Sequence, residues 1–242
     1  VSFSAVARRL FTLSGVAPLG AFLVLHAITN ARAVRGETAF VAAVHAYERV
    51  PALTALEILF VYAPLLFHTA YGVWLVATRK PLAASSPFAP PWKLAVRATG
   101  VVAALFLVLH LPELRFRTPG ARPSGGQLLT WLAADLSRTS HGWPLVAAAY
   151  LFACACATFH FAAGSWGVFA STRFASEDPH AKRRSAWAAA LGGVALFVVF
   201  ANTVVLHATG SRLFGSASAE GAGATGEPSP SAACPPRAAT RP

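Results

Sequence analysis

The chain has 242 residues, 55% of them hydrophobic and 12% charged, with a mean hydropathy of +0.54. So little polar residue cannot cover a water-soluble globule of this size, which leaves an integral membrane protein. The formal net charge of +11 is scattered between apolar runs and forms no continuous patch, so lipid headgroups and partner subunits are the expected neighbours rather than nucleic acid.

Five apolar runs follow in chain order, at about 10–31, 52–77, 94–113, 144–170 and 186–208. Each is long enough to cross a ~30 Å hydrocarbon layer as a helix rising 1.5 Å per residue. Their weak periodicity suits helices that are apolar on every face. The expected fold is an all-α integral membrane protein, a five-helix transmembrane bundle over residues 1–210. The opening ARRLFTL, the first run and ARA at 31–33 imitate a secretory or twin-arginine signal. The run is longer than a signal core and is followed by four comparable spans, so it reads as a retained first helix. Segments 1–9, 78–97 and 171–184 hold half of the Lys and Arg in about half the length of the segments on the other side, which predicts a cytoplasmic N-terminus. Residues 211–242, rich in Ala, Gly, Ser and Pro, read as a disordered tail.

Four of the runs carry a histidine: LGAFLVLHAITN (His26), LFVYAPLLFHTAYGVWL (His68), AALFLVLHLPEL (His110) and CACATFHFAAGSW (His160). One imidazole in hydrocarbon is most simply a residue bonded to a neighbouring helix, but four at matching positions need a common explanation. Each lies 16 residues after the start of its run, which is ~24 Å along the axis. Successive helices alternate in direction, so His26 and His110 fall toward the outer surface, His68 and His160 toward the inner one. Two imidazoles at one depth suit a bis-histidine b-type haem, and two pairs suit two haems stacked across the membrane. Gly72 and Gly164 each follow an inner histidine by one helical turn, while Gly15, Glu57, Thr99 and Ala149 stand 11 residues before the four histidines, on nearly the same face. A zinc site would gather four ligands at one point and a di-iron site several carboxylates, whereas the spans hold one clear interior acid, Glu57. Cys154, Cys156 and Cys234 form no Cys-x-x-Cys motif and read as packing or tail residues without a redox role. Glycine-rich phosphate loops are absent, so flavin and nucleotide chemistry must lie on other subunits.

These segments resemble the di-haem cytochrome b anchor of succinate:quinone oxidoreductases and fumarate reductases, in its single large anchor type. The resemblance runs over about residues 8–205, carried by RRLFTLSGVAPLGAFLVLHAITNARAVRGETAF, LEILFVYAPLLFHTAYGVW, RATGVVAALFLVLHLPELR and FHFAAGSWGVF. It implies that His26 and His110 ligate the haem distal to the catalytic subunits, and His68 and His160 the proximal one. It also implies a bacterial cytoplasmic membrane location, a flavoprotein and an iron–sulfur subunit docked on the cytoplasmic face, and quinone, commonly menaquinone, as electron partner. Some fumarate reductases of the family place a proton-routing glutamate two residues before the last histidine; here that position is Thr158.

Further site expectations follow from chemistry. Arg97, near the inner end of the third helix, is placed to hold a haem propionate through its planar fork. Glu57, about five residues into the second span, sits at the depth of the outer pair, and its carboxyl suits a quinone, whose reduction consumes protons. His45 and Glu48, in the preceding loop, are candidates for linking it to water. A di-haem subunit of a hydrogenase or formate dehydrogenase is the competing assignment, disfavoured by the segment match. A proton-relaying transporter is a third, but Pro18 and Pro64 interrupt single spans with no matching half-repeat.

Overall fold

The computed structural model describes residues 3–78, 91–115, 125–172 and 178–214. The first span is built from α1 (Phe3–Val16) and α2 (Pro18–Ala31). Pro18 has no N–H to give the preceding turn, so the rod breaks at Ala17. Ala17 and Ala21 keep their own bonds to Leu13 and Ala17, and the two pieces remain one span. A 3₁₀ turn, Arg32–Arg35, then leads through Gly36, at φ 110°, into α3 (Glu37–Glu48).

The second span comprises α4 (Leu53–Glu57), a π turn (Ile58–Tyr62) and α5 (Ala63–Thr78). Pro64 explains the widened turn, because its ring clashes with the carbonyl four residues back and removes the bond that an α-helix would make there. The remaining helices are α6 (Pro91–Arg115), α7 (Gly125–Leu136), α8 (Leu145–Ala170) and α9 (Pro179–Thr209). Asp178 caps α9 by accepting the His180 backbone N–H at 2.7 Å, and Gly210, at φ 70°, ends it.

Among the described residues there is no strand beyond an isolated bridge, Ser140–Trp143, and five helical stretches are long and apolar enough to cross a membrane. Leu66, Leu105, Val108, Leu109 and Leu191 stand exposed along these spans, as lipid-facing side chains do. The molecule is a multi-pass membrane protein. The fifth span starts at Pro179 rather than near 186, because its first turns carry Lys182, Arg183 and Arg184 and are helical without being apolar. Neither α3 nor α7 was expected. Both are short for a span and lie at the end of the bundle opposite the start of α1, here the far end, with the start of α1 at the entry end.

Helix α8 is central and packs against α9, α6, α1 and α7; α1 also packs on α5, and α2 on α9. The α8–α9 crossing is close enough that a Cβ on Gly193 would stand 2.7 Å from the Ala162 methyl. At the far end, Leu132 and Leu136 of α7 join Ala147 and Val204 in a buried cluster. Residues 211–214, expected as the start of the tail, fold back on α9. Buried Asn202 accepts from the backbone N–H groups of Leu213 (2.7 Å) and Phe214 (3.3 Å) and donates to the Phe214 carbonyl at 3.2 Å. The rest of the expected tail, with Cys234, lies outside the described residues.

Asn202→Leu removes all three bonds, so the detergent-solubilised protein should lose about 2–3 kcal/mol of stability. An unchanged thermal midpoint would contradict this latch.

Candidate functional site

Between the five spans lies a cavity of about 710 Å³ lined by His26, His68, His110 and His160 and otherwise mostly by apolar side chains. The rings meet in two pairs. His68 and His160, toward the entry end, have centroids 6.2 Å apart with planes at 83°. Toward the far end, His26 and His110 are 6.1 Å apart at 86°. Imidazoles bound to one metal from opposite sides, at a metal–nitrogen distance of ~2 Å with each centroid about 1 Å behind its nitrogen, stand ~6 Å apart. The donor set therefore fits a metal held between each pair.

Tautomers at the entry end agree with that fit. His68 Nδ1 lies 2.9 Å from the Phe11 carbonyl oxygen, and His160 Nδ1 lies 2.9 Å from that of Val96. A carbonyl only accepts, so Nδ1 carries the proton and donates it, which leaves Nε2 with a lone pair. Metal-binding histidines are oriented in this way by a second partner.

The same local device seats both rings. Gly15 lies four residues after Phe11, and Gly100 four after Val96. A Cβ on Gly15 would come within 2.9 Å of His68 Nδ1 and closer to Cε1; one on Gly100 would stand 2.7 Å from His160 Cε1. Each imidazole thus occupies the space of a missing side chain and reaches the carbonyl one turn earlier. Phe11 also stacks on His68, at 4.4 Å and 12°.

The far pair is held differently. His26 and His110 stack on the phenylalanine four residues before them, Phe22 at 5.6 Å and Phe106 at 4.9 Å. His110 Nδ1 is buried with no hydrogen-bond partner, a costly arrangement that marks this ring as short of an interaction.

Other predicted residues distribute unevenly. Gly72, Gly164, Gly15 and Glu57 line the cavity; Thr99 and Ala149 do not, and the glycine beside His160 is Gly100, one position from the expected Thr99. Thr99 returns its hydroxyl to the Ala95 carbonyl at 2.7 Å. Thr158 does likewise with Cys154 at 2.8 Å, and its backbone abuts the α9 side, where Gly193 approaches, rather than the cavity. Half-buried Arg97 lines the cavity beside Val96. Cys154 lines it too, whereas Cys156 is buried elsewhere in α8. Among the described residues no three His, Cys, Asp or Glu side chains gather as a metal cluster.

Glu57 was expected as a carboxyl with no charged partner. Instead its Oε2 accepts from Arg115 at 2.8 Å, and its Oε1 accepts from the Tyr47 hydroxyl at 3.2 Å, all three lining the far end of the cavity. Glu57 is 6% exposed, and a buried carboxylate requires such a partner. The Tyr47 phenol is pushed up to about 12, first by burial and then by the Glu57 carboxylate, so it keeps its proton throughout the physiological range. Glu48 reaches the cavity rim, but His45, 53% exposed, pairs with Glu48 at 3.3 Å on the outside of α3 and does not line the cavity. Sequence reasoning missed Tyr47, Arg115 and Gly100; for Arg115 the available signal was a cation closing the third span at the depth where Glu57 opens the second.

The glycine device gives a direct test. On the expectation of one haem for each histidine pair, Gly15→Ala or Gly100→Ala should lower the haem content to roughly half by displacing one entry-end imidazole, while Gly167→Ala, with open space around its Cβ, should leave it unchanged. Full haem content in both of the first two variants would show that the close approach is not required.

Comparison with known proteins gives a consistent assignment. The chain is 32% identical over 193 residues to the succinate dehydrogenase cytochrome b558 subunit of Bacillus subtilis (strain 168), covering 79% of this chain and 91% of that protein. No family model matches the sequence, and no solved structure matches it. With that identity over most of both chains, the protein belongs to the succinate dehydrogenase cytochrome b subunit family.

Proposed function

We propose that the chain is the single large, di-haem membrane anchor of a succinate:quinone oxidoreductase, with His68 and His160 holding one b haem and His26 and His110 the other. The observation that carries this reading is the facing of four intramembrane imidazoles in two pairs, 6.2 and 6.1 Å apart, along one cavity. When bound, haem iron supplies reversible one-electron transfer. The protein's part is to hold and orient the imidazoles, through the Phe11 and Val96 carbonyls at one end and through stacked Phe22 and Phe106 at the other. Arg97 is placed to pair with a propionate near the entry end.

In this reading the N-terminus is cytoplasmic, in a bacterial cytoplasmic membrane, and the entry end receives an iron–sulfur subunit together with its flavoprotein. The far end takes quinone, menaquinone by the family resemblance. Succinate loses two electrons and two protons in becoming fumarate, and a quinone gains two of each in becoming quinol. The Tyr47–Glu57–Arg115 cluster lies beyond the His26–His110 pair, where a group that holds or passes protons is useful. Arg115 keeps the carboxylate tolerable in its buried setting, and Tyr47 presents a proton-bearing hydroxyl. Glu48 at the rim offers contact with water, a role for which exposed His45 is less well placed.

A pyridine haemochrome assay on the purified complex should give two haems per chain; a ratio of one would exclude the di-haem assignment. Glu57→Gln should slow quinone reduction by about tenfold or more while succinate still reduces both haems. Normal turnover in that variant across neutral pH would remove Glu57 from the proton path. Arg115→Met, which strands the carboxylate, should destabilise the protein by about 3 kcal/mol, and combining it with Glu57→Gln should recover most of that loss.

A further inference from the structure

One buried polar atom at the far end of the cavity has no task in this reading. His207, in the last turn of α9, lines the cavity, and its Nε2 is buried with no hydrogen-bond partner. Its helix presents Phe200, Thr203, Val204 and His207 to the cavity, a stripe with the spacing of one helical face. Phe200 lies 5.9 Å from the ring of His26. His207, seven residues on, is therefore about 10 Å beyond the His26–His110 level toward the far end.

Arg115 follows His110 by five residues, which is about 7–8 Å in the same direction. Leu114 and Ala208, chain neighbours of Arg115 and His207, pack against the same buried cluster of Leu132 and Leu136. So His207 on α9 and the Tyr47–Glu57–Arg115 cluster on α3, α4 and α6 stand at similar depth on different walls of one apolar chamber. Asn202, five residues earlier on the same helix, has its donor and its acceptor engaged by residues 213 and 214.

We propose that His207 is a quinone-binding residue, its Nε2–H donating to one ring carbonyl while the Tyr47–Glu57–Arg115 cluster faces the opposite one. This rests on the anchor reading above. A quinone is flat and apolar and carries two acceptor oxygens on opposite sides of its ring, which matches an apolar slot with polar groups on separate walls. His207 in this role binds and orients; no bond forms or breaks at it. Leaving its donor buried without that partner is unfavourable, so the pairing favours the occupied site.

The test uses the complete complex carrying His207→Ala, His207→Leu or His207→Gln. Three quantities are measured: KM and kcat for a short-chain naphthoquinone, equilibrium binding of the oxidised naphthoquinone, and optical reduction of haem by succinate. His207→Ala and His207→Leu should raise KM and weaken binding by about tenfold, with a smaller change in kcat, and His207→Gln, which retains an N–H donor, should recover much of the loss. Reduction of haem by succinate, which precedes the quinone step, should persist in all three. Leucine fills the site without a donor, so it carries the test if the alanine variant assembles poorly. KM and binding within about twofold of the unmutated complex in the leucine variant would overturn the assignment of His207. Failure of succinate to reduce any haem in the unmutated complex is a different result, and would overturn the anchor reading itself.

Discussion

An imidazole within a membrane span must find a partner, and this bundle depends on how four of them do so. Facing one another in pairs across helices, the rings sit at the separation that two ligands on one metal require, and each pair joins spans distant in sequence: His26 with His110, His68 with His160. Spans one and three are linked near the far end, and spans two and four near the entry end. The fifth span carries no member of either pair; it supplies Phe200 and the close Gly193 crossing that close the bundle around them.

The two pairs reach similar geometry by different means. Toward the entry end the backbone fixes the rings: a carbonyl accepts Nδ1–H, and a glycine one turn later makes room for the imidazole. Toward the far end aromatic stacking holds them, and His110 Nδ1 remains without a partner. Polarity is distributed in the same unequal way. Beyond the far pair the cavity runs on to a buried ion pair, a tyrosine that keeps its proton and a histidine whose buried Nε2 has no hydrogen-bond partner. Helices α3 and α7 close over this end, and α3 brings Tyr47 to the cluster.

Much of this was legible in the sequence, because composition and run length are local properties and a histidine in an apolar run stands out. The depth argument needed only alternating helix direction to group His26 with His110 and His68 with His160, and those are the rings that face each other. What was not legible depends on contacts between distant segments. Arg115 is 58 residues from Glu57, and only their shared depth, read from the ends of two spans, links them in the sequence. The 11-residue offset, about 20° more than three whole turns, pointed to Thr99 where Gly100 is the residue against His160. His207 lies in the last turn of its span and does not share the 16-residue offset that drew attention to the other four. The short helices α3 and α7 carry mixed composition that resembles loop when read without their packing partners.

The central claim is that four histidines form two metal-binding pairs with nearly perpendicular rings, and electron paramagnetic resonance of the oxidised protein tests it most directly. The ring planes meet at 86° for His26 and His110 and at 83° for His68 and His160, so with a haem held by each pair the account predicts two highly anisotropic low-spin signals. Replacing His26 or His110 by alanine should abolish one of them, and replacing His68 or His160 the other. A single signal, signals typical of parallel ligand planes, or loss that couples His26 with His68 would contradict the account.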